Sequence, residues 1–164
     1  MEALLITFSK WLASTGLSHV IQTVSWIIPT LQTIHILCVA IVFSSAVLVN
    51  LRIFGLFERD EPLHAVARRF LPPVWPVLLI LLLTGSLLII GEPRRSLVNT
   101  TFYLKMSLLL VAILLTAILQ RTVLSSPDFI ENRRAAGRAL ATASILVWCG
   151  ILFAGRWIAY TQAG

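Results

Sequence analysis

One histidine, His35, sits about two turns inside a long apolar run, where an imidazole can ligate a metal, pass a proton or satisfy a buried hydrogen bond. At ~1.5 Å per residue it lies roughly 9 Å below the outer end of that run, counted from Pro29. Gly85 falls at a similar depth in the second run. Glu92, Arg94 and Arg95 follow that second run, Lys105 opens the third, and Arg156 lies about one turn inside the end of the fourth. All of these groups map to the outer leaflet. Ionisable groups within spans are costly and usually face a bundle interior or a cavity, so their convergence marks a candidate site. The chemistry that fits them is haem binding. His35 would be the iron ligand, Gly85 would leave room for the macrocycle, and Arg94, Lys105 and Arg156 would neutralise the propionates.

The second axial ligand is less defined. His64 lies in a linker on the opposite side, whereas His19 is on an N-terminal segment that could fold over the bundle mouth. Met106, a ligand from a second subunit, or five-coordinate iron are the other options. A plainer reading also stands. His35 can be a packed histidine bonded to a helix backbone or to Glu92, with Lys105 and Arg156 snorkelling to headgroups or pairing with Glu92. Asn50 and Arg52 read as the exit of the first helix.

The elements that must position these residues are four apolar runs, roughly Ile27–Leu51, Leu71–Ile90, Phe102–Leu119 and Ala139–Tyr160. Each reaches or nearly reaches the ~20 residues needed to cross a bilayer as a helix. In lipid such runs must be helical to satisfy their own backbone groups. The chain has 164 residues, 58% hydrophobic and 12% charged, about half the charge fraction of a soluble domain. The expected fold is all-α: an integral membrane four-helix bundle with an N-terminal interfacial amphipathic helix. Residues 1–26 form the interfacial segment and 27–164 the transmembrane domain.

Within residues 3–26, Leu4, Leu5, Phe8, Trp11 and Leu12 share one helical face, and Leu17, Val20, Ile21 and Val24 begin a second short piece after Gly16. Both are too short to span and suit the interface, anchored by Trp11 and Trp26. The N-terminus does not read as a cleavable signal. On span one, His35, Cys38, Val42, Ser45, Val49 and Arg52 recur at steps of three and four and form a small, more polar stripe expected to face inward. Leu71-Pro72-Pro73-Val74-Trp75-Pro76 suits a helix entrance. Thr84, Gly85 and Ser86 allow close approach of a neighbouring helix or a flat ligand.

The net charge of +6 is placed beside spans rather than on a soluble basic stripe, which argues for topology and lipid contact and against nucleic acid. Eight of the 13 basic residues fall in residues 52–70 and 121–138, which predicts those linkers cytoplasmic and both termini periplasmic. The two cysteines, Cys38 and Cys149, lie in spans and form no zinc or disulfide pattern. No HExxH, GxSxG, phosphate loop or paired intramembrane carboxylates occur, so the residues leave open whether the protein is an enzyme.

The stretch Trp26-Ile27-Ile28-Pro29-Thr30-Leu31-Gln32-Thr33-Ile34-His35, with Asn50-Leu51-Arg52-Ile53-Phe54-Gly55, Thr84-Gly85, Glu92-Pro93, Phe102-Tyr103-Leu104-Lys105 and Gly155-Arg156-Trp157-Ile158-Ala159-Tyr160, resembles a family of uncharacterised bacterial four-span inner-membrane proteins over about residues 20–160. Its relatives more often carry Asp at position 50. More remotely the plan is similar to copper-resistance-D-like proteins and HemJ-type protoporphyrinogen oxidases, which share the first-span histidine, an arginine at that span's inner end, the Thr/Gly break and a lysine opening the third span. HemJ-type proteins bind b-type haem, which the resemblance would place on His35. They carry further histidines not found in this chain, so the resemblance does not extend to their activity.

The expectation is thus a bacterial inner-membrane protein binding haem b in the outer leaflet, for electron transfer with quinone or a periplasmic partner. The alternative is a cofactor-free accessory subunit of a larger membrane complex. A third is a small metal-ion or solute carrier with His35 and Cys38 as soft ligands. Membrane lipid is an expected partner, and a homo-oligomer is compatible with each.

Overall fold

The computed structural model describes residues 2–125 and 133–158. Helices follow in the order α1 (Glu2–Ala13), α2 (Gly16–Thr23), α3 (Ile27–Ile53), α4 (Leu63–Phe70), α5 (Val74–Gly91), α6 (Pro93–Leu97), α7 (Thr100–Ser125) and α8 (Arg134–Trp157), with no strand among the described residues. α3, α5, α7 and α8 are long and apolar enough to cross a membrane, as the sequence predicts. The 27 residues of α3 rise about 40 Å, more than the ~30 Å hydrocarbon core. The outward surface of the bundle is apolar: Leu37, Leu82, Leu110 and Phe153 are 59%, 64%, 60% and 76% exposed. Water would penalise such a surface and lipid does not, so this is a multi-pass membrane protein.

α5 lies against α3, α3 against α8, and α8 against α7. α5 and α7 meet mainly through side chains. Val74 and Ala112 share a buried cluster with Val42, Ala46, Trp148 and Ile151, and Trp75 Nε1 donates to Gln120 Oε1 at 2.6 Å. A second cluster, Val49, Leu63, Ala67, Leu71, Leu119 and Val123, closes the Arg52 end. The stripe expected on α3 is inward: Cys38, Val42, Ser45 and Val49 are all buried.

Pro72 and Pro73 break the chain between α4 and α5, as their missing donors require. The basic residues predict a linker over residues 52–70, but α4 lies within it. Its Leu63, Val66 and Ala67 are buried and Phe70 packs on them, a spacing of three, four and seven that predicts an amphipathic helix. Pro62, in extended conformation, caps its start. The other expected linker, 121–138, is also shorter than expected. α7 continues to Ser125 and α8 starts at Arg134, so Arg121, Arg134 and Arg138 are helical. Long arginine stems let helices extend past the hydrocarbon edge while their charges reach headgroups. Residues 126–132, and Tyr160 of the fourth run, lie outside the described residues.

α3 ends in a Schellman motif. Gly55 N donates to Arg52 O at 2.9 Å and Leu56 N to Leu51 O at 2.9 Å, with Gly55 at φ 74°, a value a Cβ would strain.

The N-terminal pair is docked onto the bundle. Ser18 Oγ donates to Ile90 O at 2.7 Å and Gln22 Nε2 to Gly91 O at 2.8 Å, so α2 satisfies carbonyls that the end of α5 leaves open. Its contact with α5 is close: a Cβ on Gly91 would stand 2.7 Å from Ile21 Cγ2. α1 packs on α6, burying Ser9, while the apolar face predicted for it, Leu4, Phe8 and Trp11, points outward.

Candidate functional site

At the outer end of the bundle, α3, α5, α7 and α8 bring His35, Thr84, Gly85, Lys105 and Gly155 together. Alternating steps of three and four on α3 turn His35 towards α5, where Nδ1 lies 2.9 Å from Thr84 Oγ1. The Thr84 hydroxyl donates its single proton to Ile80 O at 2.8 Å, the usual back-bond of an intrahelical threonine. Towards His35 it can therefore only accept. With the hydroxyl proton assigned to Ile80, Nδ1 is the donor to Thr84 and a neutral ring keeps its lone pair on Nε2. This is the arrangement found in ligating histidines, where a bond at one nitrogen orients the ring and frees the other.

Gly85 has a role other than the one expected of it. A Cβ built there would stand 3.4 Å from His35 Cε1. The missing Cβ lets the imidazole lie against α5. Lys105, half-buried, runs along α8, with Nζ 3.7 Å from the position of a Gly155 Cβ.

The remaining expected residues lie further out. Glu92 pairs with Arg95 at 2.7 Å, not with Lys105, Arg156 or His35 as the plainer reading had it. Pro93 starts α6 directly after Glu92, which places Arg95 three residues on, over the same turn. Arg94 is exposed and lines, with Glu92, Arg95, Gln22, Ile28 and Gly91, a cleft of about 1130 Å³ at the outer mouth that His35 does not line. His19 is exposed on α2, Met106 is 42% exposed on α7, and Arg156 is exposed near the end of α8. Among the described residues, no hydrogen bond joins Arg94, His19 or Met106 to His35. Among the described residues no three of His, Cys, Asp and Glu gather into a metal-binding group.

Sequence reasoning missed two polar relationships. Thr84 was read as part of a small-residue gap, although its depth beside Gly85 was a usable signal. Asn50, read as marking a helix exit, is fully buried and donates from Nδ2 to Ser144 Oγ at 3.1 Å. Asn50 Oδ1 and Trp148 Nε1 are buried without a hydrogen-bond partner among the described residues. Ser144, Thr116 and Trp148 border a cavity of about 10 Å³, the size of one water.

Fold and site define a four-span membrane protein with a polar cluster, centred on a histidine, in one half of its bundle. The chain belongs to a family of unknown function (DUF6644), whose model matches residues 8–161. That agrees with the uncharacterised family expected from the sequence. No curated protein and no solved structure matches the chain.

Proposed function

We propose that this is a bacterial inner-membrane redox protein that holds a b-type haem in the outer leaflet, with His35 Nε2 as iron ligand. The carrying observation is the Thr84 bond, which fixes the ring and leaves Nε2 its lone pair. The donor set fits at the ligand: an oriented imidazole, with the Lys105 side chain beside Gly155 on the neighbouring helix as a cation for a propionate. Arg94, on the outer cleft, and Arg156 are further cations for that role. Bound haem would supply one-electron chemistry, and the expected exchange partners are quinone or a periplasmic protein. In this orientation the termini are periplasmic, the basic segments 52–70 and 121–138 cytoplasmic, and α1 lies in the interface with Phe8 and Trp11 towards lipid. Titrating the detergent-purified protein with haemin tests the assignment. Saturable 1:1 binding, weakened at least tenfold by His35→Ala, is expected; equal binding by the variant overturns it.

One observation favours the second reading, a cofactor-free accessory subunit. The imidazole itself occupies the gap at Gly85 and is bonded to Thr84, so the cluster can be a packing network that joins a partner. Failure to bind haemin, together with a defined larger complex on native gels of solubilised membranes, would establish it.

A further inference from the structure

At the opposite end of the bundle a cleft of about 360 Å³ is lined by Arg52, Arg134 and Arg138 over an apolar floor of Ile53, Phe54 and Leu63. The Schellman turn at Gly55 and the start of α8 form its walls. Arg52 is held in place, donating from Nε and Nη2 to Glu61 O at 2.9 and 2.6 Å, and keeps Nη1 uncommitted. Arg134 and Arg138 are one turn apart on α8, both exposed. No acid among the described residues lines the cleft. Elsewhere arginines do find carboxylates: Arg69 pairs with Glu58 and Glu61, and Arg95 with Glu92. The first turn of α8 also contains no acidic residue, so its positive helix end adds to the field.

We propose that this cleft binds the phosphate of an anionic phospholipid headgroup. Three guanidiniums match a phosphate by paired N–H donation. Ile53, Phe54 and Leu63 beside the arginines would take the start of an acyl chain, which favours a lipid over a free ion. Basic pockets between spans bind anionic headgroups for these reasons. The assignment is independent of haem at the other end.

The test uses the full chain in detergent, with native mass spectrometry of added phosphatidylglycerol against phosphatidylcholine. Wild type should retain phosphatidylglycerol selectively. Arg134→Gln with Arg138→Gln should weaken that retention about tenfold and leave phosphatidylcholine unchanged. Both side chains are exposed, so folding is not at risk, and the Arg134→Lys, Arg138→Lys pair should keep most of the binding. Arg68→Gln, an exposed arginine of α4 that does not line the cleft, should have no effect. Equal retention of the two lipids, or no response to the Gln pair, overturns the proposal. So does displacement of the lipid by stoichiometric inorganic phosphate, which would identify a free-anion site.

Discussion

Thr84 Oγ1 stands between the carbonyl of Ile80, at 2.8 Å, and Nδ1 of His35, at 2.9 Å. One hydroxyl proton cannot serve both; assigned to Ile80, in the usual back-bond of an intrahelical threonine, it makes threonine the acceptor for the imidazole. α5 thus dictates which nitrogen of a residue on α3 is free to react.

Replacing Thr84 by Val keeps the shape and removes the acceptor. His35 Nδ1–H is then left unpaired in a half-buried setting, which costs about 1–3 kcal/mol. Thermal unfolding in detergent should fall for Thr84→Val and recover in Thr84→Ser. Equal stability of the Val variant would mean that the bond does not hold the ring.

The close fit of α2 on α5 predicts a compensating pair. Gly91→Ala places a Cβ 2.7 Å from Ile21 Cγ2, an overpacking that costs about 1–3 kcal/mol. The N-terminal segment should become more sensitive to protease. Ile21→Ala removes the clashing methyl, so the double variant should be less sensitive than the sum of the two single changes.

In the core, Asn50 and Ser144 should respond as a pair. Ser144→Ala leaves the buried Asn50 amide donor unpaired and Asn50→Leu leaves the buried Ser144 hydroxyl unpaired, each a loss of about 1–3 kcal/mol, whereas the double change removes both partners and costs less than the sum of the two. Melting temperatures in detergent should show that non-additivity. Additive losses would refute this account of the polar core.

Lys105 tests the electrostatics of the proposed haem site. A cation near the iron favours the reduced state, so Lys105→Met should lower the midpoint potential by on the order of tens of millivolts. Redox titration of haem-loaded protein measures this, and an unchanged potential would place Lys105 away from the cofactor.

The spans were legible in the sequence because crossing a bilayer demands long uncharged helices, and the steps of three and four from Cys38 to Val49 showed the inward face of α3. The meeting of His35, Gly85 and Lys105 was legible from depth alone, since residues at one height on antiparallel spans share a layer. What depth could not give was rotation about each helix. That decides that Thr84 meets His35, that Glu92 chooses Arg95, and that the Gly85 gap is filled by a ring of the same chain. α4 escaped because its charge drew it into the loop reading, although Leu63, Val66, Ala67 and Phe70 already had helical spacing.

The central claim is that His35 ligates haem iron, and the reduced-minus-oxidised visible spectrum of protein purified from haem-replete cells tests it most directly. The account predicts a Soret band and sharpened α and β bands on dithionite reduction, lost in His35→Ala and kept in Arg68→Gln. A colourless wild-type protein, or an unaltered spectrum in His35→Ala, would contradict it.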